Sequence, residues 1–166
     1  MLALVCVGVA CAAAPAEAGA ACPDQNDAGA SATAQERAVL CLVNGARTSR
    51  GLTALAAPPS LAKAAARKSG DILRCDEFSH EACGRDFTYW FDQVGYHGCS
   101  EGENIAYASG TYATPRTIFK LWMGSSGHRE NILGDYRDVG IGLRIGTLGN
   151  VRDAHVWTQE FGSRDC

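Results

Sequence analysis

At 166 residues, the chain has the length of one domain, enough to bury roughly 70% of the surface its unfolded form would expose. Its net charge of −3 is mild, with 15 basic and 18 acidic residues spread along the chain. The absence of a basic stripe or a Lys/Arg cluster argues against nucleic acid and anionic lipid as partners.

The first segment differs from the rest. Met1 to Ala16 carries no charge, and Glu17 is the first charged residue. Small residues at Ala16-Glu17-Ala18 and Ala18-Gly19-Ala20 match an A-x-A cleavage pattern. Residues 1–20 therefore read as a signal peptide cut after Ala18 or Ala20, although no Lys or Arg precedes the apolar run. The run falls short of the ~20 residues that span a bilayer, so no membrane span is expected. Lipoprotein anchoring at Cys11 is the less favoured reading, because no bulky leucine stands three residues before it. Without the leader the cysteines are Cys22, Cys41, Cys75, Cys83, Cys99 and Cys166. An even set in an exported chain reads as disulfides, with the pairing left open. Cys75–Cys83 is attractive because it would close a short loop around His80. A cysteine zinc site is unsupported, since no C-x2-C pair occurs.

Residues 21–32 read as a flexible entry segment, and residues 33–166 as the folded domain. Thr33, with Glu36 three residues later, reads as the capping box of a helix over about residues 34–49, ended by Gly51. Pro58-Pro59-Ser60 opens a second helix whose apolar face is Leu61, Ala64, Ala65, Ile72 and Leu73. Residues 75–84 form a polar loop carrying His80. A short helix is expected from Asp86 to Val94, then a turn at Gly95–Gly98 and a strand from Asn104 to Ala108. Pro115 suits the first turn of a helix that buries Ile118, Phe119, Trp122 and Met123. Gly124 and Gly127 are expected to end it, leaving His128 in a turn. Val139, Ile141, Leu143 and Ile145 alternate as a strand, paired through Gly149-Asn150 with a second strand from His155 to Phe161. The pattern predicts an α+β sandwich.

Three fragments look built to meet: Phe78-Ser79-His80, Gly102-Glu103-Asn104-Ile105 and Ser125-Ser126-Gly127-His128-Arg129-Glu130-Asn131. His80 and His128 offer two imidazoles that can bind a metal, and Glu103 a carboxylate that can take a proton from bound water. Glu103 has an alternative structural reading, capping backbone N–H groups near the cleft. His97 and His155 lie outside the fragments. Asn44 and Arg47 read as a structural hydrogen-bond pair, and Trp90, Trp122 and Trp157 as core rather than a carbohydrate platform. Familiar enzyme signatures fail. His80-Glu81-Ala82-Cys83-Gly84 lacks the second histidine of H-E-x-x-H. Gly124 to His128 ends in histidine where G-x-S-x-G requires glycine. Gly140-x-Gly142 lies within a strand, so its glycines read as permitting close packing on the sheet rather than a dinucleotide turn.

Further segments accompany these three in order: Leu42-Val43-Asn44-x-x-Arg47, Gly95-Tyr96, Trp122-Met123, Val139-Gly140-Ile141-Gly142 and Trp157-x-Gln159-x-Phe161-Gly162. Over about residues 34–162 the chain resembles the CAP superfamily of SCP-like extracellular domains in its bacterial form. The resemblance implies a three-layer α-β-α sandwich with a central antiparallel sheet, and a cleft lined by His80, Glu103 and His128. The family's further glutamate falls at about Ser125 here, so a metal in the cleft would have fewer carboxylates to orient its ligands, with Glu101 and Glu130 the candidates to substitute. Two functions are in view. One is a secreted binding or interaction module whose cleft holds a divalent cation such as Zn²⁺ or a small ligand (a lipid or sterol among them), or whose surface meets an extracellular protein. The alternative is a metal-dependent hydrolase of peptides or cell-wall material, with zinc on His80 and His128 and Glu103 as base.

Overall fold

A computed structural model describes residues 22–164; the leader, Cys11 and Cys166 lie outside the described residues. In chain order the elements are α1 (Ala32–Thr48), α2 (Pro59–Cys75), α3 (Tyr89–Gln93), β1 (Ser100–Ala108), α4 (Pro115–Gly124), α5 (Ser126–Leu133), β2 (Asp138–Leu148) and β3 (Val151–Ser163). The strands form one antiparallel sheet in the order β1-β3-β2. β2 and β3 make the expected hairpin, with Gly149 at φ 56° in the turn.

The sheet lies between two helical layers, as the α-β-α expectation required. On one face, α2 lies so close to β2 that a Cβ on Gly140 would sit 2.1 Å from the Leu61 backbone, and one on Gly142 2.3 Å from that of Ala65. The strand glycines thus serve helix-on-sheet packing. Ser69 on α2 bonds Gly142 O and the Thr158 hydroxyl across this contact. On the other face, Val39 and Val43 of α1 and Ile118 and Trp122 of α4 join Val139, Leu143, Trp157 and Phe161 in the main core. β3, covered on both sides, is buried from Ala154 to Ser163.

Several local expectations are corrected. The cap of α1 is Ser31, whose hydroxyl accepts from Ala34 N, rather than Thr33. Glu36 instead crosses to the sheet and accepts from Leu143 N. Residues 22–31, expected as a flexible entry, are tied down by Cys22–Cys41 and by Arg116, which bonds both the backbone and the side chain of Gln25. The helix that Gly124 and Gly127 were expected to end is followed at once by α5, with Ser125 as its N-cap; His128 lies in that helix, not in a turn. Asn44 and Arg47 do not pair with each other. Asn44 exchanges two bonds with the Leu55 backbone. Buried Arg47 donates to the carbonyls of Thr53, Ile132, Gly134 and Tyr136, tying α1 to the segment after α5. Trp122 and Trp157 are fully buried, but Trp90 is not core: its ring is half-buried between Arg67 and Arg85, and its Nε1 donates to Asp71.

Candidate functional site

β1 is an edge strand, and its outward carbonyls are capped by side chains. Tyr136 donates to Glu101 O, Asn131 to Glu103 O and Trp122 to Ile105 O. This edge is thereby closed to pairing over those residues and is fixed against the helical layer.

Consecutive strand residues point to opposite faces, and the Glu103-Asn104 pair uses both. Glu103 faces the α2 layer. Its Oε1 lies 2.6 Å from His80 Nδ1 and 3.7 Å from Lys68 Nζ. Lys68, buried on α2, also donates to the His80 backbone carbonyl, so the loop bearing His80 is held at its backbone and at its ring. Cys75–Cys83 closes that loop, the pairing the sequence favoured. Cys99 is also disulfide-bonded.

Asn104 faces the α5 layer and is fully buried. It donates to His128 O at 3.0 Å and to Gln159 Oε1 at 2.9 Å, and accepts from Asn131 Nδ2 at 2.9 Å. Thus one strand anchors both histidine-bearing segments through adjacent side chains. Burial, and after it the electrostatic influence of His80, hold the His128 imidazole below its usual pKa. His128 is therefore neutral at physiological pH, with a nitrogen lone pair to give.

The remaining nominees stand apart. Glu101 accepts from Gly98 N at 3.4 Å, and burial raises its pKa. Glu130 is exposed on α5, and Ser125 is a cap. Among the described residues, no group of three or more His, Cys, Asp or Glu side chains is placed to hold one metal ion.

Two members of the site were missed in the sequence. Lys68 fills the helical position between Ala64/Ala65 and Ile72 on the buried face of α2, so the spacing held the signal. Glu160, fully buried, sits directly across from Glu103 on β3. Its carboxyl lies well above the ordinary carboxylate range, because of burial first and the Glu103 charge second.

The family model for CAP, the cysteine-rich secretory protein family, matches residues 40–161. This chain belongs to the CAP family. A curated relative, the uncharacterised protein YkwD of Bacillus subtilis (strain 168), is 35% identical over 137 residues; the match takes in 79% of this chain and 48% of YkwD. The CAP chain thus spans about half the length of that relative. Solved structures share the fold. An extracellular protein containing an SCP domain from Bacillus anthracis str. Ames superposes with a TM-score of 0.65 at 22% identity, over 81% of this chain and 44% of that one. An outer surface protein of Borrelia burgdorferi gives 0.69 at 14% identity, over 82% and 97%. No helix among the described residues is long and apolar enough to cross a membrane.

Proposed function

We propose that this CAP protein is a secreted binding module whose cleft between His80 and His128 takes a divalent metal ion, or a small ligand held through such an ion. The observation that supports it best is the 2.6 Å contact between His80 Nδ1 and the buried Glu103 carboxylate. A carboxylate behind one ring nitrogen keeps the proton there and turns the other lone pair outward, the second-shell arrangement of metal-binding histidines. A neutral His128 adds a second donor of the type borderline cations such as Zn²⁺ accept. Secretion is supported by the leader-like residues 1–20 and by relatives described as extracellular or outer-surface proteins.

A hydrolase would need a base free to take a proton from metal-bound water. Glu103 Oε1 is engaged by His80 and Lys68, and its side chain is 1% exposed. This favours a holding role for Glu103, and no observation favours the hydrolytic reading over the binding one.

The test is calorimetric titration of Zn²⁺ into the metal-stripped, oxidised mature protein, beside a His80→Ala/His128→Ala double variant. The proposal expects saturable one-to-one binding that the double variant loses. Equal binding by both proteins, or none by either, would overturn it and leave a lipid, a sterol or an extracellular protein as the partner to seek.

A further inference from the structure

We infer that Cys75–Cys83 is an exchangeable disulfide, a site at which a dithiol reductant attacks Cys75, releases Cys83 and opens the loop that carries His80. The bond joins the last residue of α2 to a residue at a sequence separation of 8. Cys75 is exposed and Cys83 half-buried, so an incoming thiolate meets Cys75 first. Which sulfur is attacked and which leaves depend on access and on how well the departing thiolate is stabilised, and exposed or strained disulfides are the labile ones.

The two sulfurs sit in opposite settings. Arg74 Nη2 lies 3.1 Å from Cys83 Sγ, and a guanidinium there stabilises the thiolate that leaves. Arg74 also donates to Asp71 Oδ1 at 2.8 Å, which holds the guanidinium in place. The Asp71 backbone carbonyl, 3.3 Å from Cys83 Sγ, can accept from the thiol form. The Glu77 carboxylate is engaged at the backbone, where it accepts from Cys83 N at 3.1 Å. Cys75, by contrast, ends α2, where the negative end of the helix dipole disfavours a thiolate. Cys83 is therefore the better leaving group. Its backbone adds a second drive. At φ 63° and ψ 24° Cys83 is left-handed, a conformation that a residue with a Cβ holds at a cost, and opening the bond lets it relax.

The exchange balances. One thiolate of the dithiol bonds to Cys75 Sγ as the bond to Cys83 breaks, and the electron pair goes to Cys83 Sγ. The second thiolate attacks the reductant's own sulfur in the mixed disulfide and releases Cys75 as a thiolate. The dithiol is oxidised to a disulfide, the protein gains two electrons, and the two protons the dithiol gave up end on the two cysteines. The His80 loop then keeps Lys68 at its carbonyl and Glu103 at its ring, but loses its covalent closure. The site stands whether or not the cleft takes a metal.

The experiment uses the oxidised, metal-free mature protein under native conditions. Glutathione, a monothiol, stops the exchange at its first step; the released thiol is alkylated, and peptide mass mapping shows which cysteine carries which group. Dithiothreitol then gives the rate of full reduction, and hydrogen exchange over residues 76–82 reports the loop. The inference expects glutathione on Cys75 and the alkyl group on Cys83. It expects Cys75–Cys83 to be reduced about tenfold faster than Cys22–Cys41, with quicker exchange in the loop once it is. Arg74→Gln should slow the reduction several-fold, and Arg74→Lys should restore it. Glutathione on Cys83, a Cys75–Cys83 bond reduced no faster than Cys22–Cys41, or loop exchange unchanged by reduction would overturn it, even if Arg74→Gln fails to fold. So would an unchanged rate in folded Arg74→Gln.

Discussion

Replacing Asn104 with alanine separates the two halves of the site. The side chain makes three hydrogen bonds at 2.9–3.0 Å, to His128 O, Gln159 and Asn131, and is fully buried. Each such bond contributes about 1 kcal/mol net, and buried partners left without one add to the loss, so Asn104→Ala should cost roughly 3–4 kcal/mol. For a domain of this size that lowers Tm by about 10 °C. The effect should be lopsided. His128 loses its backbone anchor, becomes more exposed, and its pKa rises toward the ordinary histidine value, since burial is the main cause of its depression. His80, held from the opposite face by Glu103 and Lys68, should keep its tautomer. Urea unfolding supplies the stability, and an NMR titration of the two imidazoles supplies the asymmetry. A loss under about 1 kcal/mol, or equal disturbance of both histidines, would refute the argument that adjacent strand residues anchor them separately.

Other outcomes follow from the packing and the charges. Gly142→Ala should cost about 3 kcal/mol or more, or prevent folding, because the new methyl meets helix backbone that cannot yield; Gly45→Ala, with open space around its Cβ, is the matched control in thermal melts. Cys75→Ser/Cys83→Ser opens a loop of sequence separation 8 and should cost about 2.5 kcal/mol by loop entropy, while hydrogen exchange at His80 quickens. The depressed pKa values of half-buried His128 and buried His155 mean that the folded state binds fewer protons than the unfolded one below the ordinary value of 6.5. Their contribution is present above that pH and lost as pH falls toward the folded values. Glu160, with a raised pKa, pulls the other way. The check is therefore a comparison: His155→Gln should lose less stability than the wild type between neutral pH and about pH 5, and an equal loss would count against the assignment.

Periodicity and turn chemistry made much of this fold legible. The apolar spacing of α1, α2 and α4 and the alternation of β2 and β3 each reflect a single buried stripe or face, which a linear pattern records well. What escaped notice depended on contacts between distant segments. Glu36 looked like a capping partner for Thr33 because its reach to Leu143 crosses the fold. α5 was missed because Ser-Ser-Gly after Gly124 resembles a stop, whereas Ser125 ends one helix and caps the next. Trp90 fell on a short apolar pattern, but its neighbours Arg67 and Arg85 hold it at the surface. His80, Glu103 and His128 stood out through the fragments around them, and their elements do meet at the β1 edge. Glu160 did not stand out, since an acid in a strand normally marks a solvated face. Only the burial of the central strand on both sides makes it a member of the site.

The central claim is that His80 and His128 share one cation. Crystals of the mature protein soaked in Zn²⁺ and measured across the zinc absorption edge test it most directly. The account predicts a single strong anomalous peak within about 2.1 Å of His80 Nε2 and of one His128 ring nitrogen, with Glu103 behind Nδ1 and not on the metal. No peak between the two imidazoles, or zinc bound only at surface carboxylates, would contradict it.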